Sequence, residues 1–188
     1  MTDLTLSRRK FLVLGSSFMA IAGTPSVAKL ILPKTTPHFS IHKLALYNLH
    51  TEETFEGTYK RGNDYDKKAL ERLAHVLRDR RNNKKHPIDP RLFDALHQLQ
   101  STLGTKDPFQ IICGYRSPET NAMLHKKSTG VSKHSLHMAG KAIDINLEHI
   151  GLKTLKDAAR SLKVGGVGYY PKSNFIHIDI RPKPAYWA

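Results

Sequence analysis

His137 and Asp144 stand seven residues apart in the run Ser135-Leu-His-Met-Ala-Gly-Lys-Ala-Ile-Asp144, with Gly140 between them. A second imidazole, His177, sits downstream in Phe175-Ile-His-Ile-Asp179. Two imidazoles and a carboxylate, with a coordination position left open, are a natural ligand set for a catalytic zinc ion. A structural zinc would more often be closed by four protein ligands, usually including cysteines, and this chain has one Cys. The chemistry these residues point to is metal-assisted hydrolysis.

For the three side chains to meet, the segments around them must be neighbouring strands. Alternation over 141–147 puts Ala142 and Asp144 on one face and Lys141, Ile143 and Ile145 on the other. A small Ala beside the Asp leaves room for an ion. Gly140 lets the loop bearing His137 fold back over the start of the strand. His177 and Asp179, two apart, share a face of the second strand. Each run alone is a weak signal, because a chain with 11 His yields chance pairs and a strand His or Asp can simply be surface.

The rest of the chain supplies a frame. A hairpin is expected over 43–59, with Thr51-Glu-Glu turning the chain. A helix is expected over 65–80, with Asp64 as N-cap, an apolar stripe of Ala69, Leu70, Leu73, Ala74 and Leu77, and a solvated face carrying Lys67, Lys68, Glu71, Arg78 and Asp79. Asp89-Pro90 starts a second amphipathic helix that stops near Gly104. A buried strand follows over 109–113, and Ser117-Pro118-Glu119 opens a short helix. After a loop over 128–135 come a strand (141–147), a helix (152–162), a glycine-rich strand (164–170), a turn (171–174) and a final strand (175–181). The order is α+β, with an antiparallel or mixed sheet and helices packed against it.

At 188 residues the chain is one domain, and its formal net charge is +14. Such a balance implies an anionic partner: nucleic acid, anionic lipid or an acidic polymer. Ser7-Arg8-Arg9-Lys10-Phe11-Leu12 precedes a short apolar run, and Ser26-Val-Ala28 resembles a cleavage site. This predicts a twin-arginine export signal over 1–28 and a proline-containing linker over 29–40, leaving 41–188 as the folded domain. Removing 1–28 takes away three basic residues and one acidic residue, so the charge falls only to +12. The basicity therefore belongs to the domain. An exported basic domain meets the cell wall, whose stem peptides carry carboxylates, and anionic lipid headgroups, so nucleic acid is not an expected partner. Cys113 is alone in the apolar run Phe-Gln-Ile-Ile-Cys, reads as a small buried residue, and is given no metal role. Nothing in the residues sets an oligomeric state.

From Ile112-Cys-Gly-Tyr-Arg-Ser through the His137 and Asp144 run to Phe-Ile-His-Ile-Asp, the chain resembles the zinc D-alanyl-D-alanine peptidases. Those enzymes share a fold with lysostaphin-type enzymes and the hedgehog signalling domain. Within the group it looks most like the YcbK-like murein endopeptidases, over roughly residues 40–187. The resemblance implies that His137, Asp144 and His177 bind Zn²⁺ and that Arg116 binds the substrate carbonyl and its developing oxyanion, or a nearby carboxylate. It implies a periplasmic peptidase of peptidoglycan. One departure matters: dipeptidase members carry a Glu three residues before the last His ligand as general base, and Asn174 stands there. Asp179 is expected to be the proton acceptor ahead of His134, or else to orient a ligand imidazole. Two rivals follow: a wall-binding module that keeps zinc but has lost its base, and a basic nucleic-acid-binding protein supported by charge alone.

Overall fold

The computed structural model describes residues 40–128 and 130–188. The expected signal over 1–28, and the linker over 29–40 apart from Ser40, lie outside the described residues. In chain order the elements are β1 (Ile41–Asn48), β2 (Thr54–Arg61), β3 (Asp64–Tyr65), α1 (Lys67–Val76), α2 (Pro90–Leu103), β4 (Phe109–Cys113), α3 (Pro118–Lys127), β5 (Ala142–Asn146), α4 (Leu152–Ser161), β6 (Gly166–Tyr170), β7 (Phe175–Asp179) and β8 (Ala185–Trp187). Short 3-10 turns occupy Leu136–Ala139 and Pro171–Ser173. The protein is α+β, as its sequence order requires.

One eight-stranded sheet runs β3-β2-β1-β4-β5-β7-β6-β8. All pairs are antiparallel except β1 with β4 and β6 with β8. The second half of the sheet matters most here. Ile143 pairs with Ile178 and Ile145 with Ile176 across β5 and β7. These four side chains join Leu44, Leu46, Leu73, Phe93 and Leu96 in one buried core. Each fully buried aliphatic contributes about 1.5–3 kcal/mol, so this face has one strongly preferred register. Because side chains alternate, the partners in between, Asp144 and His177, must point to the opposite face.

Local chemistry explains most element ends. Asp89 caps α2 by accepting from the Arg91 N–H at 3.1 Å, Pro90 sits in the first turn, and Gly104 closes the helix in the left-handed region at φ 65°. Ser117 caps α3 and accepts from the Thr120 N–H at 3.2 Å. The first helix differs from expectation. Its cap is Asp66, which accepts from the Ala69 N–H at 3.0 Å, while Asp64 belongs to β3. The helix also stops at Val76, so Asp79 is no part of a solvated face and is 2 % exposed. Two short edge strands, β3 and β8, have no expected counterpart.

Candidate metal centre

The site is built on one row of residues that crosses five strands. Cys113 on β4 pairs with Asp144 on β5, Asp144 with His177 on β7, His177 with Gly168 on β6, and Gly168 with Trp187 on β8. The β4–β5 register shifts between Ile111 and Cys113. This bulge is what brings Cys113, rather than Ile112, opposite Asp144. Gly168 has no side chain because the Trp187 indole occupies that space: a Cβ there would lie 2.5 Å from Nε1. The indole centroid is 5.4 Å from the His177 ring, its Nε1–H donates to Tyr170 Oη at 2.9 Å, and the Arg181 guanidinium lies 4.9 Å from its ring centre.

His137 arrives from outside the sheet. It sits on the 3-10 turn Leu136–Ala139, which Gly140 ends at φ 63°. Gly140 also packs against the Pro87 carbonyl and accepts from the Asp89 N–H at 2.9 Å, so the turn is held down over the start of β5. That is the fold-back expected of a glycine at this position.

Three atoms converge: His137 Nε2, His177 Nδ1 and Asp144 Oδ1. Nε2 and Nδ1 are 3.2 Å apart, Nδ1 and Oδ1 2.9 Å, and Nε2 and Oδ1 3.2 Å. Each ring is oriented by a bond on its far side. His137 Nδ1 lies 2.7 Å from Gly114 O, which can only accept, so Nδ1 carries the proton. His177 Nε2 donates to Asp179 Oδ2 at 3.1 Å. Both inward nitrogens are therefore lone-pair atoms, and a carboxylate oxygen faces them. Three acceptors this close need a shared positive charge. Ligands 2.0–2.1 Å from a tetrahedral ion are about 3.3 Å apart, so the triangle fits three corners of a zinc site with the fourth left open. The anionic neighbours favour positive charge at this point, which a proton on His137 would also supply. Burial opposes charge on His137, yet Asp144 and Cys113 raise its pKa well above the ordinary value. Burial likewise opposes charge on Asp144, yet His137 and His177 hold it far below the usual carboxylate range.

Arg116 and His134 complete the surroundings. Both line a cleft of about 820 Å³, together with Asp144, His177, Tyr170 and Trp187. The Arg116 Nη2 atom lies 3.9 Å from Asp144 Oδ2. Nη1 donates to Asn121 Oδ1 at 3.4 Å, and Nη2 donates to Cys113 Sγ at 3.5 Å. Its buried Nε has no partner among the described residues. His134 is exposed at the cleft edge.

Asp179 sits behind His177, bonded to its outer nitrogen. It is 0 % exposed, and it accepts from the Gly166 N–H at 2.9 Å, the Arg181 N–H at 3.0 Å, Arg181 Nη2 at 2.6 Å and His177 Nε2 at 3.1 Å. Burial would raise its pKa, but His177, Arg181 and the two backbone donors hold it well below the carboxylate range. Asp179 lies among the residues lining the cleft, but these donors engage every lone pair. The bond to His177 Nε2 matches the second role expected of Asp179, orientation of a ligand imidazole. Asn174 is an exposed turn residue at φ 53°, a conformation Asn tolerates better than most, and it is not among the cleft residues.

Sequence reasoning passed over Cys113. Its sulfur lies with one donor atom each of His137 and Asp144 in a group spanning no more than 4.8 Å, a second possible metal set. The His137–Asp144–His177 triangle is tighter and has its far sides braced, so it is the stronger ligand set. An apolar run ending in Cys gives no hint of the bulge that turns the sulfur inward.

Residues 37–186 match the family described as peptidoglycan L,D-endopeptidase MepK. The chain is 46 % identical over 178 residues to the peptidoglycan L,D-endopeptidase MepK of Escherichia coli (strain K12), covering 94 % of each chain. It is 38 % identical over 177 residues to the probable peptidoglycan L,D-endopeptidase MepK of Haemophilus influenzae, covering 94 % of this chain and 93 % of that one. The chain belongs to this family.

Proposed function

We propose that this member of the peptidoglycan L,D-endopeptidase family is a zinc peptidase that hydrolyses peptide cross-links of the cell wall. The observation that carries the metal is the triangle of three lone-pair atoms 2.9–3.2 Å apart with both imidazoles braced from behind. His137, Asp144 and His177 would hold the ion. When bound, zinc supplies Lewis acidity toward a carbonyl and makes water acidic enough to attack near neutral pH.

The chain's own residues do the rest. Gly114 O and Asp179 fix the imidazole tautomers, so the inward nitrogens offer lone pairs without reorganisation. Arg116 presents a guanidinium to the cleft, where its planar donors meet a carbonyl oxygen as negative charge develops, or a stem-peptide carboxylate. His134 takes the proton from the attacking water and passes it to the leaving amine, a role for which an exposed imidazole on the cleft edge suits better than a buried carboxylate already accepting four hydrogen bonds. The relatives are named for an L,D bond, and the same bond class is proposed here. Export by the twin-arginine signal would place the domain in the periplasm, beside its polymeric substrate.

The test is digestion of purified cross-linked sacculi by the purified protein, with and without a chelator, followed by mass spectrometry of the released muropeptides. The expected result is loss of cross-linked dimers, abolished by chelation and restored by zinc. Binding to sacculi without any cleavage would make the protein a wall-binding module instead.

A further inference from the structure

The segment Gly114–Ser117 does two things at the site: the Gly114 carbonyl orients His137, and Arg116 faces Asp144. Something must hold this segment still, because it leaves a strand and is not itself in the sheet. The holder comes from the loop after α1. Leu77 O accepts from the Tyr115 N–H at 2.7 Å, and a Cβ on Gly114 would lie 2.5 Å from that same oxygen. Asp79, 2 % exposed, accepts from the Ser117 N–H at 2.9 Å with one oxygen and from the Arg81 N–H at 3.0 Å with the other. The loop is braced in turn: the Asp79 N–H donates to Lys84 O at 3.0 Å, and Asn82 Nδ2 donates to Ser117 Oγ at 2.8 Å.

We propose that Asp79 is a positioning residue, whose buried carboxylate clamps Ser117 and so fixes Gly114 O on His137 and the Arg116 guanidinium beside Asp144. A carboxylate fits because every group facing it is a donor. Asn would turn an amide N–H₂ toward one of those donors. Burial would raise the Asp79 pKa, but its donors hold it below the ordinary value, so the group is ionised at the pH of the periplasm. Misplacement of a catalytic donor by about 1 Å can cost roughly 100-fold in rate.

The catalytic part of this inference rests on the peptidase reading. The test is Asp79→Asn in the full chain, with Asn82→Ala as a milder variant that leaves the buried carboxylate in place. Zinc affinity is measured by chelator competition, Ser117 amide exchange by NMR, and kcat and KM on a cross-linked muropeptide. Asp79→Asn should speed Ser117 exchange, weaken zinc several-fold and lower kcat at least about tenfold with KM little changed. Combined with Arg116→Lys it should cost less than the product of the single effects, because part of the Asp79 effect runs through the same guanidinium. Asn82→Ala should shift the same quantities in the same direction, less far. A folded Asp79→Asn protein with unchanged zinc affinity and unchanged Ser117 exchange overturns the proposal, as do multiplicative effects of the two substitutions. If the wild type cleaves nothing, the peptidase reading fails, and the clamp is still judged by zinc affinity and amide exchange.

Discussion

Two clusters of polar groups sit on the two halves of the sheet, and they obey opposite rules. On the first half, Asp94 of α2 accepts from Tyr59 Oη at 3.0 Å, Lys60 Nζ at 2.9 Å and Tyr65 Oη at 2.6 Å. Donors meet acceptors, a cation meets an anion, and the cluster ties β2 and β3 to the helix layer. On the second half, His137, His177 and Asp144 point lone pairs at one another, and their protons lie on the outer side of each ring. The first cluster is complete as it stands. The second is complete only with a cation, which is why one reads as structure and the other as chemistry.

The sharpest way to break this contrast is at His177. His177→Ala removes one corner of the triangle, and the protein should lose bound zinc and all measurable cross-link cleavage while remaining folded. Elemental analysis showing full zinc occupancy in that variant would remove His177 from the ligand set. Next in size is Arg116→Lys, which keeps the charge but loses the planar fork; turnover should fall about 100-fold with zinc retained. Wild-type turnover would leave Arg116 a structural ion-pair residue.

Asp179 and His134 separate bracing from proton transfer. Asp179→Asn should weaken zinc binding by about 10–100-fold, because the bond that fixes the His177 tautomer is altered. His134→Ala should leave zinc affinity alone and lower kcat by about 10²–10⁴. A His134→Ala enzyme with normal kcat, beside an Asp179→Asn enzyme that keeps zinc but is dead, would reverse the two roles.

Much of this was readable in the chain because it depends on local rules. Period-two alternation placed Asp144 and His177 opposite the isoleucine face, and Gly140 marked the fold-back. Asp89-Pro90 and Ser117-Pro118 marked helix starts. What could not be read depends on partners far away in sequence. Asp79 looked like a solvated helix residue because its acceptor role is set by backbone groups of Ser117, 38 residues away. The donors that saturate Asp179 come from Gly166 on a neighbouring strand and from Arg181 beyond the strand end, so the choice between its two expected roles was not legible locally. Cys113 enters the site through a one-residue register shift that no composition encodes. The edge strands β3 and β8 are two and three residues long, too short to carry a period.

The smallest effect tests the structural half. Asp94→Asn should leave zinc content and cleavage unchanged and lower stability by about 1–3 kcal/mol, since the half-buried Lys60 and two hydroxyls lose a charged acceptor. Its pH dependence has a definite sign. Burial raises the Asp94 pKa, but bonds from Tyr65, Lys60 and Tyr59 outweigh it, so the folded value lies below the unfolded one. The carboxylate therefore stabilises the fold fully above the unfolded pKa of about 3.9, and this contribution fades as pH falls through the lower, folded value. Thermal melts of wild type and Asp94→Asn should differ by a constant amount from pH 7 to 5 and begin to converge below about pH 4. A gap that stays the same at pH 3 would mean the loss comes from packing rather than from the charge. A gap accompanied by zinc loss would mean the two clusters are coupled through the sheet, and the contrast between them would not hold.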